Sequence, residues 1–493
     1  MTNLSATLSR NSYQVTVPTG IWLGNELVAA SDNATFPVYD PATELELAQV
    51  ADSGPTEWDR ALELADDVWG QWAEVPTRRR SEILTAIFAS VTKRAQDFAA
   101  VMSFEMGKPF AESLGEVAYG AEYFRWFAEE AVRPGGRISP APAGNGTIMV
   151  SKEPVGPVLA ITPWNFPLAM ATRKIAPALA AGCPVIVKPA METPLTMLLL
   201  GEVISEVFTQ FQVPSGVVSI IATSHSSQLS AQLMVDDRLK KITFTGSTAV
   251  GKRLVEQSVE NLQRSSMELG GNAPFVIAAD ADIDLVLQCA MQAKMRNGGA
   301  ACIAANRFLV HESLAEEFTT RLTELMGNIR TGHGLDEGTT LGPIITAKQR
   351  NNVAELVAEA VAAGATATVG GAPVEGSGYF YPATVLVNVP PQARIIKEEI
   401  FGPVATITTF GDLEEGIALA NDTEFGLAAY GFSENVHTAM LLAKKLNAGM
   451  VGINRGAISD PAAPFGGIKQ SGFGREGGVE GIEEYFNTKY VAL

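Results

Sequence analysis

The sequence predicts an α/β protein with parallel, doubly wound sheets, and two patterns carry that expectation. From residue 155 the short apolar runs "VGPVLAI", "PVIVKP", "GVVSII" and "KKITFTG" each lead into a helical stretch, the signature of βαβ units. A second set of runs, "NAPFVIAA" (272–279), "RFLVHE", "FGPVATITTF" and "GMVGIN", points to a second α/β unit. With 493 residues, 46% hydrophobic and 18% charged, the chain has room for two or three domains with large cores.

Residues 56–75 put Trp58, Ala61, Leu62, Ala65, Trp69 and Trp72 at helical spacing. A longer helical region over 81–132 is interrupted at "MGKPF", where Pro109 breaks it. "RPGGRISPAPAGNGT" (133–147) is a loop or a connector between layers. Further helices are expected over 167–181 and 194–207, after "GVVSII", and from Ser247 onward. "GIEEYFNTKYVAL" ends the chain with strand-forming residues, and such a strand needs a partner, commonly another subunit's edge.

A net charge of -18 argues against a nucleic-acid partner, and an anionic substrate would have to be captured by a few local cations. Three cysteines (Cys183, Cys289 and Cys302) and four histidines form neither a disulfide framework nor a metal site. The first residues lack an apolar targeting stretch, and no apolar run reaches membrane-spanning length. These features describe a soluble, cytoplasmic protein with no membrane partner.

Several short segments carry groups with chemical potential. Cys302 lies among glycine and alanine in "MRNGGAACIAANR"; it is either a small buried hydrophobe or a nucleophile. A free thiol with a pKa of about 8.5 is mostly protonated at neutral pH, so it needs a base or nearby cations. Arg296 and Arg307 flank it, and Glu268 in "SMELGGNAPF" is a candidate base or a solvated element-end carboxylate. Asn165 in "ITPWNFP" is an oxyanion donor or a turn former. Gly246 and Ser247 open a helix, either to admit a phosphate or as an ordinary capped turn. Lys188 ends "PVIVK", facing a ligand crevice or solvent.

Taken in order, "PWNFP", "KPA…TP", "FTGSTAVG", "ELGGNAP", Cys302, "EEIFGPV" and "PFGGIKQSGFGREG" resemble the aldehyde dehydrogenase superfamily over nearly the whole chain. The resemblance implies a Rossmann-like cofactor domain over 1–127 and 148–266, and an α/β catalytic domain over 267–440. A returning segment at 441–477 would line the active site, and a small β oligomerisation flap would comprise 128–147 and 478–493. It further implies a homodimer or homotetramer. Cys302 would be the nucleophile, Asn165 and the Cys302 N–H the oxyanion hole, and Glu268 the base for thioester hydrolysis. Lys174 and Glu476 match proton-relay positions. Thr162, Pro163, Trp164, Lys188, Gly246, Ser247, Leu269, Glu399 and Phe401 match cofactor-binding positions for NADP or NAD.

Within the superfamily, "FPLAMATRKIAPALAAGCPVIVKPA", "KMRN" and "ISDPAAPFGGIKQSGFGREG" are most similar to succinate-semialdehyde dehydrogenases. That likeness implies a small semialdehyde substrate whose distal carboxylate is held by Arg173, Arg296 and Ser459. Glutarate semialdehyde is the near alternative. A CoA-acylating enzyme would lack the base at Glu268, and a silent structural relative would not need Cys302, Glu268 and Asn165 together. Three departures stand out. Ala300 and Ala301 precede the nucleophile and are expected to widen the space there. Ala304 replaces a second cysteine, so no disulfide switch is expected. Met191 occupies a position where NAD-preferring relatives often carry glutamate, which tilts the expectation to NADP.

Overall fold

The structure is a computed structural model that describes residues 4–493. Its two large sheets follow from the two sets of apolar runs. Among the described residues, the first sheet has eight strands. Five central strands run parallel in the order Arg264–Glu268, Lys241–Thr245, Val158–Ile161, Val185–Lys188, Val218–Ile220. Gly472–Phe473 closes one side antiparallel, and the hairpin Ile21–Leu23 with Glu26–Val28 closes the other. Strand Val185–Lys188 is buried along its whole length, as a parallel strand covered by helices on both faces should be.

The order of these strands creates the ligand crevice. From Val158–Ile161 the chain winds outward through Val185–Lys188 and Val218–Ile220, then returns to the opposite side with Lys241–Thr245. Helices on the two sides of this reversal diverge, leaving an opening at the carboxyl ends of Val158–Ile161 and Lys241–Thr245.

The second sheet has the order Thr366–Val369, Thr384–Val387, Val404–Phe410, Ala305–His311, Ala273–Ile277, Ala428–Phe432, Met450–Ile453. Every neighbouring pair is parallel except the first. A third, antiparallel sheet joins Phe486–Ala492 to Thr147–Pro154 and Arg137–Pro140. The terminal strand therefore finds one partner within its own chain. It still forms an outer edge, with mostly exposed side chains.

The helical region over 81–132 is three helices: Thr77–Lys93, Ala95–Glu105 and Phe110–Glu130. The break at Pro109 was legible, but the break at Arg94 carries no Gly or Pro; its backbone leaves helical geometry with ψ at 22°. Helices Ala169–Ala181 and Leu195–Phe211 fill the expected 167–181 and 194–207 segments, and every residue of the first is buried. The N-terminal hairpins, Ser5–Arg10 with Tyr13–Pro18 and Thr35–Tyr39 with Glu46–Ala51, add strands beyond the two sets of apolar runs.

Candidate active site

The carboxyl edge of the first sheet meets the amino edge of the second, and the chemical groups lie along that seam. Thr162–Asn165 follow strand Val158–Ile161, Gly246 and Ser247 follow Lys241–Thr245, and Glu268 ends Arg264–Glu268. From the second sheet, Cys302 comes just before Ala305–His311, and Glu399 and Phe401 come just before Val404–Phe410. A cavity of about 240 Å³ opens between the two edges. Pro163, Trp164 and Asn165 line it together with Gly246, Ser247, Glu268 and Leu269, and Cys302, Glu399 and Phe401 face them. Trp164 packs edge-on against Phe401, with ring centroids 5.2 Å apart. Thr162 and Lys188 are joined across adjacent strands by a 3.1 Å backbone hydrogen bond, but neither borders this cavity.

Thr245, Gly270, Gln349 and Asn352 also line the cavity and were missed in the sequence. Gln349 and Asn352 sit on helix Ala347–Ala362, whose surface pattern carries no chemical motif. Gln349 Nε2 donates to the carbonyls of Ile400 at 3.3 Å and Phe401 at 3.2 Å, bracing the segment that presents Phe401. That segment is strained, since Phe401 holds a left-handed φ of 52°.

The turn before Cys302 is equally constrained. Asn297, Gly298 and Gly299 are all left-handed, with φ values of 55°, 59° and 76°. Asn297 N–H donates to Glu112 at 2.6 Å, and its Nδ2 donates to the carbonyls of Asn165 (2.8 Å) and Ala300 (3.1 Å). Asn165 Nδ2 gives one hydrogen to the Ala300 carbonyl at 3.0 Å, so its second N–H is left for a ligand. A Cβ on Gly271 would lie 2.3 Å from the Cys302 carbonyl oxygen, so the strand start and the nucleophile's loop meet backbone to backbone. Neither of the two alanines expected to widen the space before Cys302 lines this cavity. Ala301 packs with Phe166 and Met170, and Ala300 packs with Met106 and Ile345.

Burial sets the protonation states. It pushes the Cys302 thiol up to about 12; Arg173 and Arg296 oppose this, while Glu399 and Glu268 add to it. Burial therefore favours the thiol over the thiolate at Cys302. Glu268 is raised well above the usual carboxylate range, chiefly by burial and then by Glu476. Both of its oxygens are buried without a hydrogen-bond partner. Burial also lifts Glu399 to about 7 and lowers Lys188 to about 8. Beside Glu268, Glu476 accepts hydrogen bonds from Lys174 and, at 3.3 Å, from Arg173.

The arginines have different fates. Arg307 does not serve the thiol: its guanidinium donates to the carbonyls of Asn272, Leu419 and Ala420 and is locked in the second sheet. Arg173 is almost fully buried, and besides Glu476 it donates to the Tyr119 hydroxyl at 2.8 Å. Arg296 is half-buried and lies over the rings of Phe166 (4.8 Å) and Tyr119 (5.4 Å) without a carboxylate or carbonyl partner. Ser459 is half-buried in the loop after Met450–Ile453, and its hydroxyl bonds to none of these groups.

A larger groove of about 670 Å³ runs beside Arg137–Pro140 and Thr147–Pro154. It presents Arg80, Arg137 and Lys152 but no thiol or carboxylate, so it lacks the means for the same chemistry.

The crevice also fits a dinucleotide. Helix Thr248–Ser258 begins at the cavity with Ser247 making no side-chain cap, which leaves its first N–H groups for a phosphate. Gly246 has no room for a Cβ, which would lie 2.5 Å from the Phe244 ring, so the backbone itself forms the wall. A thiol, a buried carboxyl and such a crevice suit a cofactor-dependent oxidoreductase.

The chain belongs to the aldehyde dehydrogenase family, whose profile matches residues 27–491. It is 52% identical to a succinate-semialdehyde dehydrogenase of Paenarthrobacter nicotinovorans, over 91% of this chain and 98% of that one. It is 41% identical to a glutarate-semialdehyde dehydrogenase of Pseudomonas putida, over 96% and 97%. The crystal structure of an Escherichia coli NADP-dependent enzyme superposes with a TM-score of 0.94 at 39% identity, covering 97% of this chain and 98% of that chain.

Two outcomes follow from this geometry. Gly271→Ala pushes the Cys302 carbonyl aside and lowers kcat by about 100-fold with the far-ultraviolet circular dichroism unchanged. Iodoacetamide alkylates Cys302 of the cofactor-free enzyme slowly at neutral pH. Its rate climbs about tenfold per pH unit without levelling below about pH 10, because the thiol titrates only near 12. A plateau near neutral pH would show a thiolate already formed.

Proposed function

We propose that this aldehyde dehydrogenase oxidises succinate semialdehyde, or a closely related ω-semialdehyde, to the carboxylic acid. The observation that carries the reading is Arg296: a half-buried guanidinium stacked on Phe166 and Tyr119, near Glu112 but with no direct ion pair among the described residues. It lies close enough to Cys302 to favour the thiolate. A free cation beside the nucleophile, in a chain of net charge -18, suits an aldehyde with a distal carboxylate. Arg173 would be the second cation and Ser459 a neutral donor. The names of the two curated relatives, one for the four-carbon and one for the five-carbon semialdehyde, agree with this class.

In the reaction, Cys302 Sγ bonds to the aldehyde carbon and Glu268 takes the thiol proton, which passes to Lys174 and Glu476 before hydrolysis begins. The Asn165 N–H and the Cys302 backbone N–H hold the developing oxyanion. A bound nicotinamide dinucleotide supplies the acceptor for the hydride that leaves this carbon. Glu268 then takes a proton from water as the water oxygen bonds to the acyl carbon and the C–S bond breaks. Lys174 and Glu476 carry that proton onward. Retention of Glu268 favours water over CoA as the acyl acceptor.

Cofactor positions follow the same edge: Gly246 and Ser247 at the pyrophosphate, Lys188 and Glu399 at the two riboses, and Thr162, Pro163, Trp164, Leu269 and Phe401 around them. NADP is the favoured form. Met191 is half-exposed and offers no carboxylate to repel a 2′-phosphate, and Lys188 supplies a cation. Glu192 favours the charged form of Lys188, and use of NAD as well as NADP remains part of the reading. We further assign residues 1–127 and 148–266 to the cofactor domain, 267–440 to the catalytic domain, and 128–147 with 478–493 to an oligomerisation flap. A cytoplasmic homodimer or homotetramer is the proposed assembly.

A panel of succinate semialdehyde, glutarate semialdehyde and uncharged aldehydes of equal length tests the substrate. The carboxylated compounds should have the higher kcat/KM, and Arg296→Ala should erase that preference; an uncharged winner would remove the cation argument. For the cofactor, kcat/KM with NADP should exceed that with NAD, and Met191→Glu should reverse the order.

A further inference from the structure

Arg173 touches both the recognition of the substrate and the activation of water. Its Nη1 donates to Glu476 at 3.3 Å, its Nη2 donates to the Tyr119 hydroxyl at 2.8 Å, and its Nε is buried without a partner. The other oxygen of Glu476 accepts from Lys174, whose Nζ also donates to Thr245 at 2.7 Å. Thr245 pairs in register with Glu268, and Glu268 has no hydrogen-bond partner at either oxygen. One buried carboxylate, Glu476, thus stands between the proposed substrate anchor and the proposed base.

We infer that Arg173 couples the two: a distal carboxylate bound to it draws the guanidinium from Glu476, and the less neutralised Glu476 makes Glu268 a stronger proton acceptor in thioester hydrolysis. At pH above the Glu268 midpoint the substrate's far charge therefore speeds the second half of its own oxidation, and below it the smaller ionised fraction slows that step. This inference rests on the ω-carboxylated substrate proposed above.

The charges around Glu268 support the direction. Helix Ala169–Ala181 brings Arg173 and Lys174 to it, the segment after Gly472–Phe473 brings Arg475 and Glu476, and the loop before Ala305–His311 brings Cys302. Glu476 disfavours ionisation of Glu268, and the three cations favour it. A carboxylate on Arg173 weakens that cation's own pull on Glu268 and its hold on Glu476, and both changes raise the basicity of Glu268. Arg475 does not compensate, because its Nη1 is committed to the carbonyls of Gly467 and Gly474. The step is ordinary hydrolysis: water adds to the acyl carbon, Glu268 receives one proton, the C–S bond breaks, and the departing sulfur regains a proton.

The test uses the intact enzyme with saturating NADP and two four-carbon aldehydes, succinate semialdehyde and butanal. Rapid mixing separates the NADPH burst from the slower hydrolysis, which is followed from about pH 6 to 9.5. The midpoint of the hydrolysis rate should lie about half a pH unit or more higher for succinate semialdehyde. Acetate added to reactions with acetaldehyde should move that midpoint the same way, and Glu476→Gln should shrink both differences to what the direct pull of Arg173 leaves. Coincident midpoints, with succinate semialdehyde still preferred in kcat/KM, would overturn the coupling and leave the substrate reading standing. Loss of the preference itself would overturn the substrate reading, and the coupling with it.

Discussion

The close approach of Gly271 to the carbonyl of Cys302 is the contact on which the site depends. It fixes the distance between the end of the first sheet, where Glu268 lies, and the loop that carries the nucleophile. Glycine is required because any side chain would enter the space of a backbone oxygen. Gly270 serves the neighbouring position, where a Cβ would stand 2.9 Å from a Glu399 carboxyl oxygen. With these two residues the chain crosses from one sheet to the other without holding thiol and carboxyl apart.

Around that crossing the protein stores charge it cannot hydrate. Lys108 and Glu116 pair in the interior, where Glu116 also accepts the first N–H groups of the helix after "PWNFP" and Lys108 donates to the Asn165 carbonyl. Arg173, Lys174 and Glu476 form a second buried group beside Glu268. Buried pairs of this kind give little net stability, because desolvation consumes most of the attraction. Their effect is on geometry and proton affinity: the first group holds the Asn165 backbone, and the second sets the field at Glu268. The unpaired members, Glu268 and Arg296, are those for which a reacting molecule would complete the shell.

Much of this was legible in the residues. Parallel strands reveal themselves as short apolar runs because both their faces are buried, so the two sheets could be placed before their order was known. The ordered motifs marked Asn165, Glu268 and Cys302, since small residues and breaks in apolar patterning stand out locally. Gln349 and Asn352 left no such mark, because polar residues on an exposed helix look alike whether or not a cavity lies beneath them. Arg307 was misread for the same reason: nearness in sequence to Cys302 says nothing about which way a strand residue points.

The sequence alone determined the family and the alternation of strands and helices, and it singled out Cys302 and Glu268 as the candidate nucleophile and base. These are local facts, written in runs and motifs of a few residues. Only the tertiary structure decided that the alanines before Cys302 are packing residues, that Arg307 is structural, and that Arg173 and Arg296 differ in what they already hold. Those outcomes depend on contacts between segments more than a hundred residues apart, such as Arg173 with Glu476. No local pattern encodes such a contact, because the strand order that brings its members together is a property of the whole chain.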